Sequence, residues 1–327
     1  MINLSENESK YIFDLKIASS SSDENSTFAG VEFDYIVDPS AIINISFVSP
    51  TPDNGSSISG IAVPINVSIS ADNISEVKYN WNGTNYSAIY NDSLILMLNF
   101  DNLASLGESE NVNVVDGSKY GNNGTISPGV VFNSTGKYGG AYTFTNKTTY
   151  INISNPGGSL NISGNTITIA AWVNWDGVWT HGWIVSKMGP SAGSYGMYLD
   201  SNRVLFGLNT GSGWGDTACT NIYASANIWH HVAVIYNGSA VVCYVDGVAS
   251  APVARTGNLV PVTGKATIGW ESGWDTQSFN GSIDEVLIFN RTLSSSEILG
   301  LYSFNLQKYN STQWYLRVNQ SVTEPFG

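Results

Sequence analysis

The sequence predicts an all-β protein, an antiparallel β-sandwich of jelly-roll type joined to a smaller β-sandwich. Short apolar runs recur at even spacing along the 327 residues, with turn residues between them. Only 12% of residues are charged, so the polar surface is made of Asn, Ser, Thr and Gly. Those residues join many short strands through turns. The third observation is WHHVAVIYNGSAVVCYVDG at Trp229–Gly247. Asn237-Gly238 between two β-rich runs is a strong hairpin signal. Both runs are apolar on both faces near their middles, which places this hairpin inside a layered structure.

Taken in order, residues 1–40 hold two strand candidates, Tyr11–Ile17 and Val31–Val37, around the loop SSSSDENST. Two strands make no stable domain alone and need a partner. Residues 41–92 carry Ile42–Val48, Val63–Ile69 and Val77–Trp81, which look like part of an Ig-like sandwich. They are fewer than the roughly seven strands such a sandwich needs. Residues 93–302 form the main domain. Its strands read at Leu94–Phe100, Ala141–Phe144, Tyr150–Ile153, Thr166–Asn174, Gly182–Lys187, Tyr195–Leu199, Val204–Leu208, Trp229–Tyr236, Val241–Val245, Ala266–Trp270 and Ser282–Asn290. Ile167, Ile169, Ala171 and Val173 alternate onto one face. Ser294 and Glu297 form a capping-box pattern ahead of one short helix. Residues 303–327 return to the earlier composition, with a strand at Thr312–Val318. That return predicts that the main domain is inserted into the smaller sandwich.

The chain is acidic, with a net charge of −13 and only 13 Lys and Arg. A phosphate backbone needs a cationic face, so no nucleic-acid partner is expected. No apolar run could cross a bilayer; the longest, Leu94–Leu98, has strand length. The opening MINLSENESK is polar and does not read as a signal peptide, which allows a start inside a longer precursor. Twenty Asn-x-Ser/Thr sequons point to export and glycosylation. They are Asn3, Asn7, Asn25, Asn44, Asn54, Asn66, Asn73, Asn82, Asn85, Asn91, Asn123, Asn133, Asn146, Asn152, Asn161, Asn237, Asn280, Asn290, Asn310 and Asn319. Asn237 lies in the tight hairpin turn and is not expected to carry a glycan. Cys219 and Cys243 most simply pair in an exported chain, two buried thiols being the other reading.

The ordered set TITIAAWVN, WIVSK, WHHVAVIYNG, YVDG and FNGSIDEVLIFNRTLSSSEI resembles the laminin-G-like, concanavalin A-like jelly roll. FDN…VVDGSKYGNNGT and GKYGGAYTF fit its opening strands. The flanks PTPDNG, VKYNWNGTNYS and KYNSTQWYLRVNQS resemble Ig-like modules of large archaeal cell-surface proteins. The resemblance implies an extracellular, non-catalytic module for adhesion, sugar binding or assembly.

It also implies a calcium ion, with Asp116, Asn122 and Asp284 as oxygen donors. Asp284 is expected on one strand face with Val286 and Ile288, where it would be costly without a partner. Sugar contact is expected at loop residues Trp175, Trp179, His181, Trp183, Trp214, Asp216, Trp270, Trp274 and Asp275, because aromatic faces beside polar groups suit a pyranose. Trp172 and Trp229 match framework positions, as do His230 and His231. The sister glucanases carry an alternating Glu-x-Asp-x-x-Glu strand. Asp284 and Glu285 are adjacent here and would point to opposite faces, so no glycosidase is expected. A Ser-His-Asp triad needs a positioned His, and of His181, His230 and His231 the last two match the structural strand, so no enzyme is expected. The leading expectation is a cell-surface filament or S-layer-like subunit, whose strands in residues 1–40 could complete a neighbouring copy. Its partners would be copies of itself or neighbouring surface domains. The alternative is a glycan-binding lectin module.

Overall fold

The computed structural model describes residues 10–17, 27–34, 44–53, 62–71, 74, 76–81, 84–145, 148–177, 181–189, 193–271 and 278–321. The chain divides into two compact units, Met1–Asn91 with Leu299–Gly327, and Asp92–Ile298. No helix among the described residues is long and apolar enough to cross a membrane.

The first unit holds two four-stranded antiparallel sheets. One runs Lys10–Ile17, Thr27–Asp34, Glu76–Trp81, Thr84–Ile89. The other runs Phe304–Lys308, Gln313–Ser321, Ala62–Ser70, Asn44–Val48. The hairpin within residues 1–40 therefore pairs inside its own chain, Val31 opposite Tyr79. Ile65, Val67, Trp314, Leu316 and Val318 are buried in this unit.

The second unit is two larger antiparallel sheets. The nine-stranded sheet is centred on Gly281–Phe289, Ile167–Trp175, His230–Tyr236 and Ala240–Val245, in that order. The eight-stranded sheet begins at Trp214–Ala218 and continues through Arg203–Asn209, Gly193–Asp200 and Gly182–Met188 to Ala266–Ile268 and three short strands. Alternation puts Ile167, Ile169, Ala171 and Val173 of one sheet and Tyr195, Met197, Leu199, Val204, Phe206 and Leu208 of the other into a single core. In the hairpin turn, Asn237 Oδ1 accepts the N–H groups of Ser239 and Ala240, and Gly238 supplies a φ of 83°. Helix Ser295–Ser303 starts at the capping box, where Ser294 N–H donates to Glu297 at 2.7 Å and Glu297 N–H to Ser294 Oγ at 3.3 Å. Cys219 and Cys243 form a disulfide.

Lys187 sits opposite Tyr195, on the core side of its sheet, and is fully buried. Its ammonium donates to the Gly264 carbonyl. Burial lowers its pKa from 10.5 to about 8. The unfolded chain therefore binds the extra proton between those values, and stability rises with pH across that window. Below it the buried charge costs on the order of 3 kcal/mol, partly offset by the Gly264 hydrogen bond. Lys187→Met is expected to stabilise the unit by about 1–2 kcal/mol at pH 7. Urea melts at pH 7 and 9.5 check this: the variant's advantage shrinks at the higher pH.

Candidate functional site

The eight-stranded sheet turns a second, smaller apolar cluster away from the core. Trp183, Met188, Tyr198 and Leu205 are buried there, with Trp214 and Ala218 packed against them. The local sequence explains the geometry. Glycines alternate with large residues, so the outer face of this sheet has no Cβ where the rings lie. A Cβ on Gly196 would stand 2.4 Å from the Trp183 ring, and one on Gly207 would stand 2.1 Å from Trp214. Gly193 leaves a similar gap under Trp214. The two indoles are thus bedded on a glycine floor, centroids 6.2 Å apart.

Tyr198 stacks on Trp183 at 4.5 Å and 30°, and His181 stacks on Tyr198 at 5.6 Å. At the open end, Trp214 is partly exposed and its indole N–H donates to Asp216 Oδ1 at 2.8 Å. Burial pushes the Tyr198 hydroxyl well up, and the nearby Asp216 carboxylate adds to this. The result is an aromatic shelf ending in an exposed carboxylate. Trp183 and Tyr198 are only 4% and 2% exposed, so of these three rings Trp214 is the one that offers a face to a sugar, with Asp216 as an acceptor for its hydroxyls.

Of the residues expected to touch a ligand, His181, Trp183, Trp214 and Asp216 come together here. Trp175 does not. It ends a strand whose inward face is core, is 5% exposed, and donates its indole N–H to the Ala224 carbonyl at 2.9 Å. Trp270 stacks on Tyr150 at 5.0 Å. Trp179, Trp274 and Asp275 lie outside the described residues. Tyr198 and the three glycines were not anticipated. Tyr198 is the residue left out when Tyr195, Met197 and Leu199 alternate inward, and that gap was the available signal.

Asp116 and Asn122 are neighbours, and Asp284 engages other partners. Asp116 Oδ1 accepts the N–H groups of Met97 and Ser118, both at 2.9 Å. Oδ2 accepts Ser118 Oγ at 2.7 Å and the Asn122 N–H at 2.8 Å. Burial raises its pKa, and these bonds oppose that. Asp284 Oδ2 accepts the N–H groups of Lys137 (2.9 Å) and Tyr138 (3.1 Å), and Oδ1 that of Glu285 at 2.8 Å. Asp116 thus accepts two donors on each oxygen, and Asp284 accepts three in all. No group of three or more His, Cys, Asp or Glu that could hold a metal occurs among the described residues.

The expected face of Asp284 is corrected. Strand Gly281–Phe289 bulges against Ile167–Trp175, and Glu285 adopts a φ of 51°. The extra residue flips the alternation, so Ile283, Val286 and Ile288 are core while Asp284 sits opposite Trp172 on the other face. There Lys137 lies 4.0 Å over the Trp172 ring, and Tyr138 and His231 meet that ring edge-on. Burial raises the Asp284 pKa well above the usual range, and the charge on Asp101 adds to this. His231, buried in the same cluster, has its pKa lowered to about 3, chiefly by burial.

The sequons Asn44, Asn85, Asn91, Asn123, Asn237 and Asn290 are exposed, and Asn66, Asn133, Asn152, Asn161, Asn280 and Asn310 are partly exposed. The Asn280 amide donates to Asp176. Asn25, Asn54, Asn73, Asn82, Asn146 and the side chain of Asn319 lie outside the description, as do Asn3 and Asn7.

Residues 145–299 match the family model of the concanavalin A-like lectin/glucanases superfamily. No curated protein matches the chain. Among solved structures, the binding domain of Paraclostridial Mosquitocidal Protein 1 is similar over 65% of this chain and 52% of that one, at 18% identity and a TM-score of 0.51. The binding domain of botulinum neurotoxin serotype G is similar over 66% and 54%, at 18% identity and 0.51. Domain 4 of a GH43 extracellular arabinanase from Geobacillus stearothermophilus, in complex with arabinotriose, is similar over 64% and 98%, at 21% identity and 0.50. The chain thus spans about half the length of the toxin binding domains. At these identities the likeness is one of fold. The segment 145–299 thus has a concanavalin A-like jelly-roll fold.

Proposed function

We propose that this jelly roll is an extracellular carbohydrate-binding module whose sugar contact is the partly exposed Trp214 with Asp216, backed by the buried Trp183 and Tyr198. The observation that carries it is the pair of indoles bedded on glycines beside an exposed carboxylate. A sheet face built only for packing has no need to reserve glycines under rings at its open end. The arabinanase domain of the same fold, in complex with arabinotriose, supports the reading. A disulfide and many exposed sequons support an extracellular site. The strand-exchange route to a filament has residues 1–40 entering another copy. Pairing of that hairpin with Glu76–Trp81 of its own chain favours the binding reading.

A glycan array that includes arabinotriose tests the proposal. Saturable binding is expected, weakened about tenfold or more by Trp214→Ala, the equivalent of about 1.4 kcal/mol. Binding that is unchanged in Trp214→Ala, or absent across the array, would contradict it.

A further inference from the structure

The loop before strand His230–Tyr236 carries an arrangement that neither the core nor the shelf uses. Ser225 is exposed. Its hydroxyl lies 2.8 Å from His230 Nε2, and His230 Nδ1 lies 2.6 Å from Asp246 Oδ2. The Ser225 backbone N–H also donates to Nε2, at 3.0 Å. A nitrogen that receives an N–H must present its lone pair, so the ring proton sits on Nδ1 and faces Asp246. That is the tautomer a general base needs. The shared lone pair aligns the ring.

Each member is fixed by other bonds. Asp246 Oδ1 accepts the His231 N–H at 2.9 Å, and the Asp246 N–H donates to the His231 carbonyl at 2.8 Å. The Ser225 loop is pinned on both sides. Ala224 N–H donates to the Asn202 carbonyl and Asn227 N–H to the Trp175 carbonyl, at 2.9 and 2.8 Å. His230 is 8% exposed, so the base is shielded while the hydroxyl is open. Such pre-positioning by a second layer of bonds is what a reactive constellation requires.

The surroundings suggest the substrate class. Tyr223, Ile228 and Val248 are 53%, 53% and 64% exposed, half of the six exposed large hydrophobics among the described residues. Each stands two positions from a member of the constellation. Exposed apolar side chains two positions from each member, on a chain of net charge −13, suit an uncharged acyl group and disfavour an anionic one.

We propose that Ser225, His230 and Asp246 form an esterase site for neutral carboxylic esters. Ser225 Oγ attacks the ester carbonyl carbon, forming a C–O bond, and its proton passes to His230 Nε2. The tetrahedral adduct collapses, the bond to the alkoxy group breaks, and His230 returns the proton to the leaving alcohol. Water, deprotonated by His230, then attacks the acyl-serine. The carboxylic acid leaves and Ser225 is regenerated. Asp246 is a positioning residue that holds the imidazole and its tautomer.

The test treats the whole chain with a fluorophosphonate, which loses fluoride when a serine oxygen attacks phosphorus, and maps the label by peptide mass. p-Nitrophenyl acetate turnover is followed in parallel. The expected result is a label at Ser225 and p-nitrophenolate release, both lost in Ser225→Ala. His230→Gln should slow labelling about a hundredfold or more. Asp246→Asn should slow it, and Asp246→Glu should restore part of the rate at an unchanged melting temperature. No label at Ser225 in the wild type overturns the proposal, as does an equal rate in folded His230→Gln. Should that variant fail to fold, urea-unfolded wild type replaces it. Labelling of Ser225 as fast there as in the native chain overturns the proposal equally.

Discussion

Asp284→Ala is expected to destabilise the jelly roll by about 4 kcal/mol. The residue is fully buried, and three backbone N–H groups, those of Lys137, Tyr138 and Glu285, end on its carboxylate. Alanine leaves all three without an acceptor. Each buried donor so stranded costs about 1–3 kcal/mol. A domain has only about 5–15 kcal/mol in total. The loop Gly136–Gly140 is shaped for this carboxylate: a Cβ on Gly136 would stand 2.1 Å from the Gly140 carbonyl oxygen and 2.9 Å from Asp284 Oδ2. Losing the acceptor releases that loop from above the Trp172 ring. Asp284→Asn keeps one acceptor oxygen and is expected to cost less. Urea melts give the energies, and amide exchange at Lys137 and Tyr138 reports the loop. An alanine variant within 1 kcal/mol of wild type would show that the carboxylate does not hold it.

Opening the disulfide is expected to cost about 3–4 kcal/mol. The loop it closes has a sequence separation of 24 residues, and loop-closure entropy gives that magnitude. The bond also joins the two layers. Cys243 lies opposite Val234 in the nine-stranded sheet, while the Cys219 N–H donates to Val204 of the eight-stranded sheet. Both cysteines are fully buried in the core. Without the bond, apolar packing and the Arg255 hydrogen bond to the Leu208 carbonyl hold the two sheets at this edge. The Cys219→Ala, Cys243→Ala double variant should show the loss as a lower urea midpoint. A midpoint equal to wild type would mean that core packing already fixes the sheet separation.

Period-two alternation made the large strands legible. Ile167–Trp175, Arg203–Asn209 and His230–Tyr236 stand within a residue or two of their expected bounds. Trp214–Ala218 was not legible as a strand, because GWGDTA carries Gly and Asp, which have low β propensity. Pairing with Arg203–Asn209 overrides that propensity, and the shelf depends on it. Thr84–Ile89 and Phe304–Lys308 are likewise strands that were not expected. The bulge at Glu285 could not be read from alternation, because both Asp284 and Glu285 are polar and the pattern is silent about the extra residue. Trp175 looked like a loop residue because Asp176 and Gly177 follow it at once, yet its strand runs through it. The constellation at His230 was hidden for another reason. Ser225 and Asp246 are separated by 21 positions, and only the hairpin and its preceding loop bring them to one ring.

The central claim is that a sugar lies on the outer shelf of the eight-stranded sheet. The most direct measurement follows the indole N–H resonances in ¹⁵N NMR while the tightest array ligand is titrated into the full chain. Saturable movement of the Trp214 and Trp183 signals, with the core-held Trp175 signal still, is the result the account predicts. Saturable binding that leaves Trp214 and Trp183 unmoved would contradict it.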